Sequence, residues 1–176
     1  MSYKILDEAA SAVSPGSNSL IALPFGNGAE RMLENKLIGA HFSGLDFNVH
    51  KSEHLVRAVQ EGVAFSFRYG LDIMKENGID PKVIRAGRAN MFLSKVFKQS
   101  FAGATQSVIE LYQCDGSVGA AIGAGLGAGF YKNEAEAFGG MNVLEKVEPD
   151  NTELYEDLYQ QWKAVLEKQL AANPVA

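Results

Sequence analysis

The residues with the best claim to chemistry lie in Lys82–Leu111, which reads KVIRAGRANMFLSKVFKQSFAGATQSVIEL. A short apolar strand runs into Ala86-Gly87-Arg88-Ala89-Asn90, and this small-residue turn opens a helix. A second short strand follows, and behind it lies a helix built largely of Gly and Ala. A turn and helix N-terminus of this kind can receive a phosphate or a nucleotide, because bare backbone N–H groups and the helix dipole both favour an anion there. The plainer reading is an ordinary strand-to-helix turn that needs one glycine. Asn90 can hydrogen-bond adenine or ribose, or cap the helix. Gly116 and Gly119 border a nucleotide on one reading and serve tight helix packing on the other. Glu30 and Arg31 face a cleft or form a surface ion pair. Nothing else in the chain reads as a complete active site.

Other chemistries find little support. His41, His50 and His54 lack metal-ligand spacing with any Cys or carboxylate set. Cys114 is the only cysteine, so no internal disulfide forms and a structural zinc site is disfavoured. No histidine lies near it in sequence to make it a nucleophile. Neither a catalytic residue nor a metal ligand is assigned. A net charge of −5 and a pI of about 5.2 argue against binding nucleic acid through bulk charge. No run of apolar residues is long enough for a membrane span. The opening MSYKILDEAASAV is broken by acidic residues and does not read as a signal peptide. A cytoplasmic protein with no membrane or nucleic-acid partner is the expectation.

These residues must be positioned by a small α/β unit. The first residues are helical, with Tyr3, Leu6 and Ala10 on one face, and stop near Ser14-Pro15-Gly16. Leu20–Leu23 reads as a strand ended by Pro24, and Ala40–Leu45 as another. Ser52–Asn77 is the strongest helix, with Leu55, Val59, Val63, Phe67, Leu71 and Met74 forming one apolar stripe. Ser52 is its expected N-cap and Gly78 its C′ residue. Gly62 and Gly70 inside it each cost about 1 kcal/mol relative to Ala, which makes sense where another backbone approaches closely. Lys82–Ala86 and Val108–Leu111 are strands flanking a helix over Asn90–Phe101, a parallel crossover unit. Ser117–Gly129, Glu134–Phe138 and Asp150–Leu170 are helical. This gives three or four strands against five or six helices. A sheet so small leaves an open edge and an uncovered face, so strands come from another chain or from a larger domain.

At this point a family resemblance is visible. Leu23-Pro24-Phe25 followed by Gly28-Ala29-Glu30-Arg31 resembles the LPY…GER segment of the FGGY carbohydrate kinases. Ile38–Leu45 is similar to their GAF-x-GL segment. His50 with Arg57–Phe65 is similar to H…RAVxEGVAF, and Ala86-Gly87-Arg88-Ala89 stands where the family has GGGA. Asp115–Ala121 matches the late small-residue helix, and Pro149 with Tyr155 and Tyr159 the closing helix. The ordered set covers nearly the whole chain and is most like xylulokinases; gluconokinase, glycerol kinase and ribulokinase are sister activities.

The resemblance implies a partial actin/hexokinase-like, ribonuclease H-like lobe: residues 1–176 as a C-terminal nucleotide-binding lobe truncated at its N-terminus. It implies ATP with Mg²⁺ as cofactor in the complete enzyme and transfer of the γ-phosphoryl group to a sugar hydroxyl. Ala86, Gly87, Arg88, Ala89 and Asn90 are the implied nucleotide contacts. Two departures follow. The N-terminal lobe, with the catalytic Asp and the sugar site, has no counterpart here, nor do the opening hairpins with their Gly-Thr-Ser loop. In addition, Ala86 and Arg88 replace glycines; Arg88 either narrows the pocket or supplies a cation to the phosphates. The isolated chain is expected to be inactive. A non-catalytic binding or assembly module, pairing with another polypeptide or as a homodimer through its exposed sheet, is the other class of reading.

Overall fold

The computed structural model describes residues 3–27 and 31–172. The longest element, α2 (Ser52–Glu76), organises the rest. Strands β1 (Ile21–Phe25) and β2 (Gly39–Ser43) form an antiparallel pair on one side of it. Strands β3 (Val83–Gly87), β4 (Val108–Tyr112) and β5 (Val143–Val147) form a second sheet in the order β3-β4-β5. β3 and β4 run parallel, joined through α3 (Lys95–Thr105); β5 is antiparallel to β4. The remaining helices are α1 (Tyr3–Ser11), α4 (Gly116–Gly127), α5 (Glu134–Phe138) and α6 (Thr152–Ala172).

The two larger of three apolar clusters hold most of these elements together. One joins Leu23 and Phe25 of β1, Phe65 of α2 and Tyr155, Tyr159, Trp162 and Leu166 of α6. Trp162 satisfies its indole N–H by donating to the Ala22 carbonyl at 2.9 Å, so a buried donor keeps a partner. The other joins Ala64, Phe97, Phe101 and Ala102 to Ile109 and Leu111. Ile109 and Leu111 are fully buried while their neighbours along β4 are not, the period-two signature of a strand with one packed face.

Several elements differ from the sequence reading. β1 extends through Pro24, which pairs with Ala40; an edge strand tolerates the missing N–H. Lys51, not Ser52, is the N-cap of α2, and the His54 ring accepts its backbone N–H at 3.2 Å. Gly78 does take the left-handed C′ conformation, at φ 82°. The single helix expected over Asn90–Phe101 is broken. A 3₁₀ turn covers Asn90–Leu93, Ser94 is extended, and α3 starts at Lys95 with the Ser94 hydroxyl accepting the Phe97 N–H at 3.0 Å. β5 was not expected at all. Its Glu145 and Lys146 serve ion pairs and its Val143 and Leu144 are half-exposed, so the segment lacks a clean apolar alternation.

The stripe on α2 holds a larger surprise. The helix buries Arg57, Ala58, Glu61, Gly62, Ala64, Phe65, Ser66 and Arg68, a neighbouring face that carries three charged residues. Arg57 and Glu61 pair at 2.8 Å in that interior, and Arg57 also donates to the Val13 carbonyl. The apolar stripe itself stays partly open: Val59, Phe67 and Met74 are 39%, 53% and 40% exposed. Gly62 has the close approach that the sequence implied, since a Cβ there would sit 2.2 Å from the Ala22 carbonyl oxygen. Gly70 does not; the Met32 sulfur, 3.9 Å away, is its nearest neighbour.

Candidate functional site

Ala86–Asn90 lies at the carboxyl end of β3, beside the carboxyl end of its parallel neighbour β4. That is where ligand crevices form in open α/β sheets. The turns after the two strands touch. A Cβ on Gly87 would fall 2.3 Å from the Cys114 carbonyl oxygen, so any larger residue pushes the turns apart. Gly87 is thus required by close backbone approach.

Around this turn the backbone is already engaged. Arg88 N–H donates to the Tyr112 carbonyl at 2.8 Å, and Ala89 N–H to the Gly87 carbonyl at 2.8 Å. Asn90 sits in the left-handed region at φ 51°, so it is not the helix cap that one reading made it. The nearby helix N-termini are also occupied. The Asp7 carboxylate meets the Ser94 hydroxyl and accepts Lys95 N–H at 3.3 Å, filling the start of α3. Asp115 does the same for α4, accepting from Ser117 N–H at 3.0 Å and Val118 N–H at 3.1 Å. The Ser117 hydroxyl and these two N–H groups hold the Asp115 carboxyl below its usual range. The N-termini of α3 and α4 are therefore not bare: each already carries a carboxylate.

What remains available at the corner is side-chain chemistry and an open face. Arg88 is half-exposed, and its guanidinium lies 3.7 Å from Glu145 of β5. Lys98 pairs with the same carboxylate. Behind it, Glu110 links Arg85 at 3.1 Å and Lys146 at 3.4 Å across the three strands. The Tyr112 hydroxyl, foremost, and these cations hold the Glu110 carboxyl low. On the other side, α4 presents Gly116, Gly119, Gly123 and Gly127 with nothing within 4 Å of a Cβ at any of them. The tight packing expected of Gly116 and Gly119 is absent, and both border open space. Glu30 lies outside the described residues, while Arg31 is exposed at the start of a 3₁₀ turn that buries Leu33. Asp7 and Glu145 shape the corner from distant parts of the chain, and neither carries a local sequence signal.

The comparisons with known proteins fit this architecture. The family model for the C-terminal domain of the FGGY family of carbohydrate kinases matches residues 3–128. The chain belongs to this family. It is 31% identical to the L-xylulose/3-keto-L-gulonate kinase of Escherichia coli K12 over 173 residues, which cover 94% of this chain and 33% of that enzyme. It is 32% identical to a xylulose kinase of Haemophilus influenzae, over 74% of this chain and 26% of that protein. Among solved structures, the xylulose kinase from Rhodospirillum rubrum superposes with a TM-score of 0.76 at 27% identity, over 94% of this chain and 34% of that one. A ligand-bound xylulose kinase from Lactobacillus acidophilus, at 21% identity and a TM-score of 0.81 over 97% of this chain and 35% of that one, shares the fold. The FGGY lobe is of the actin/hexokinase-like class. The chain spans about a quarter to a third of the length of these relatives.

Proposed function

We propose that this chain is the C-terminal, nucleotide-side lobe of an ATP-dependent sugar kinase, with D-xylulose or a related ketose as the favoured acceptor. It supplies part of the ATP site through Ala86–Asn90. The catalytic base and the sugar site belong to residues outside it. The observation that carries the reading is the paired turn at the ends of β3 and β4, held together at Gly87 and flanked by the open glycine face of α4. The names of the relatives favour a five-carbon ketose, since three of them are xylulose or L-xylulose kinases. Ribulokinases and glycerol kinases also lie among the relatives.

The residues present suit a nucleotide better through side chains and shape than through backbone N–H groups. Arg88 offers a cation to phosphate oxygens, at the expense of its pair with Glu145. The Asn90 side chain offers a donor and an acceptor to base or ribose. The glycine face of α4 admits a flat group with no side chain in the way. When bound, ATP brings the phosphoryl group to be transferred, and Mg²⁺ accompanies its phosphates. Among the described residues no group of three His, Cys, Asp or Glu is placed to hold a metal ion, so the ion's ligands are assigned to the phosphates and to the rest of the enzyme. The lobe's part is to bind and orient, the main work of protein groups in phosphoryl transfer.

A coupled ADP-release assay with D-xylulose tests the division of labour. The chain alone is expected to give no turnover above background; turnover would show that no further lobe is needed. A crystal soaked with an ATP analogue is expected to place it against Arg88, Asn90 and Gly119.

A further inference from the structure

The turn that carries Asn90 has little packing of its own. The 3₁₀ residues Asn90–Leu93 bury no side chain, and Asn90 holds a left-handed φ of 51°. Burial does not fix such a turn, so its two ends must. Upstream, the fit of Gly87 against the Cys114 carbonyl holds it. Downstream it ends at Ser94, whose N–H donates to the Met91 carbonyl at 2.9 Å. The Ser94 side chain is gripped from three helices at once. Its hydroxyl accepts the Phe97 N–H of α3 at 3.0 Å, lies 2.6 Å from the end of the Gln60 amide of α2, and meets the Asp7 carboxylate of α1. One hydroxyl proton cannot serve both a carboxylate and an amide oxygen. The donors and acceptors balance when Ser94 donates to Asp7 and the Gln60 amide is turned so that its N–H donates to Ser94.

Capping α3 needs only the Ser94 hydroxyl, so Asp7 adds something else: a tie from α1 to the end of the turn. The tie has a fixed origin. Ala10, one helical turn after Asp7, is fully buried, and the buried Arg57 donates to the carbonyls of Ala10 and Val13 while pairing with Glu61. We infer that Asp7 is a positioning residue for nucleotide binding: acting through Ser94, it fixes the exposed turn that presents Asn90. The inference rests on the proposal that Ala86–Asn90 takes the nucleotide, and it adds a residue from the far end of the chain to that site. Its signature is a matter of sign. A carboxylate repels phosphates, so removing it should tighten the binding of an anionic nucleotide if charge alone counted. A loss of affinity on its removal therefore reports position.

The test is calorimetric titration of the 176-residue chain with a non-hydrolysable ATP analogue and Mg²⁺, at a temperature where every variant is folded, together with amide exchange. Asp7→Ala keeps α1, since Ala is the best helix former. It is expected to raise the Kd at least fivefold and to speed exchange at the Phe92 amide, which donates to Ala89 within the turn. Asp7→Asn retains an acceptor for the Ser94 hydroxyl and is expected to restore most of the affinity, although it lacks the charge. Ser94→Ala is expected to weaken binding likewise. Adding Asp7→Ala to it is expected to cost nothing further, because two residues that act as one unit are not additive. An Asp7→Ala chain that binds as well as the parent or better, or a double variant whose two losses multiply, would overturn the inference and leave the functional reading standing. A parent chain that binds no analogue would overturn both.

Discussion

Gly62→Ala should destabilise the protein although it replaces a helix-interior glycine with the best helix former. The intrinsic gain from Gly to Ala in a helix is about 1 kcal/mol. Against it stands the position of the new methyl, 2.2 Å from the Ala22 carbonyl oxygen and 3.1 Å from its carbon. Something must move, and the movable part is the β1 backbone. Overpacking of this kind costs about 1–3 kcal/mol. The displaced carbonyl is also the acceptor for the buried Trp162 indole N–H. Leaving that donor unpaired costs about a further 1–3 kcal/mol. The balance is a net loss of about 1–5 kcal/mol, or roughly 2–20 °C in Tm for a domain of this size. Gly70→Ala on the same helix is the control. Its nearest neighbour is the flexible Met32 side chain at 3.9 Å, so it should stabilise by about 1 kcal/mol. Urea unfolding of both variants, followed by Trp162 fluorescence, reads the pair. If Gly62→Ala matches or exceeds the parent in stability, the close approach of α2 to β1 is wrong.

Other substitutions test separate parts of the account. Ser94→Ala removes the cap on α3 and should cost about 1 kcal/mol in urea unfolding, with faster amide exchange at Phe97. Tyr159→Phe removes a hydroxyl that donates to Asp72 at 2.6 Å and should cost about 1.5–3 kcal/mol by the same measurement. Arg88→Ala should raise the Kd for an ATP analogue while leaving Tm nearly unchanged, because the side chain is half-exposed and its pair with Glu145 is long. The Asp115 cap should persist well into acid. Its folded carboxyl titrates below the ordinary 3.8, so the capping contribution is complete above that pH and lost only as pH falls through the lowered value. The Ser117 and Val118 amide shifts followed by NMR should show a midpoint below 3.8.

Much of the scaffold was legible because its periodicity is strong. α2, α5, β3 and β4 fall within a residue or two of where residue patterns put them, and the parallel crossover follows from strand, helix and strand in order. The open edge was also visible, as a shortage of strands. What escaped was set by partners distant in sequence. Asp7 fills the start of α3 from the other end of the chain, which no local pattern around Ser94 announces. β5 was hidden because its charged residues pair across the sheet and break its alternation. The stripe on α2 was legible as apolar, yet nothing in its spacing told that Phe65, beside it, would be the buried residue while Phe67 stayed open. At the candidate site, Gly87 was singled out correctly as a position that needs glycine, but the cause is the Cys114 carbonyl.

The central claim is that the corner between β3 and α4 takes a nucleotide. Titration of the isotopically labelled chain with a non-hydrolysable ATP analogue and Mg²⁺ tests it most directly. The account predicts saturable shifts of the Gly87, Arg88, Asn90, Gly116 and Gly119 amides on one common isotherm, with the α6 amides unmoved. A titration that leaves those amides in place, or moves a different set with saturation, would contradict it.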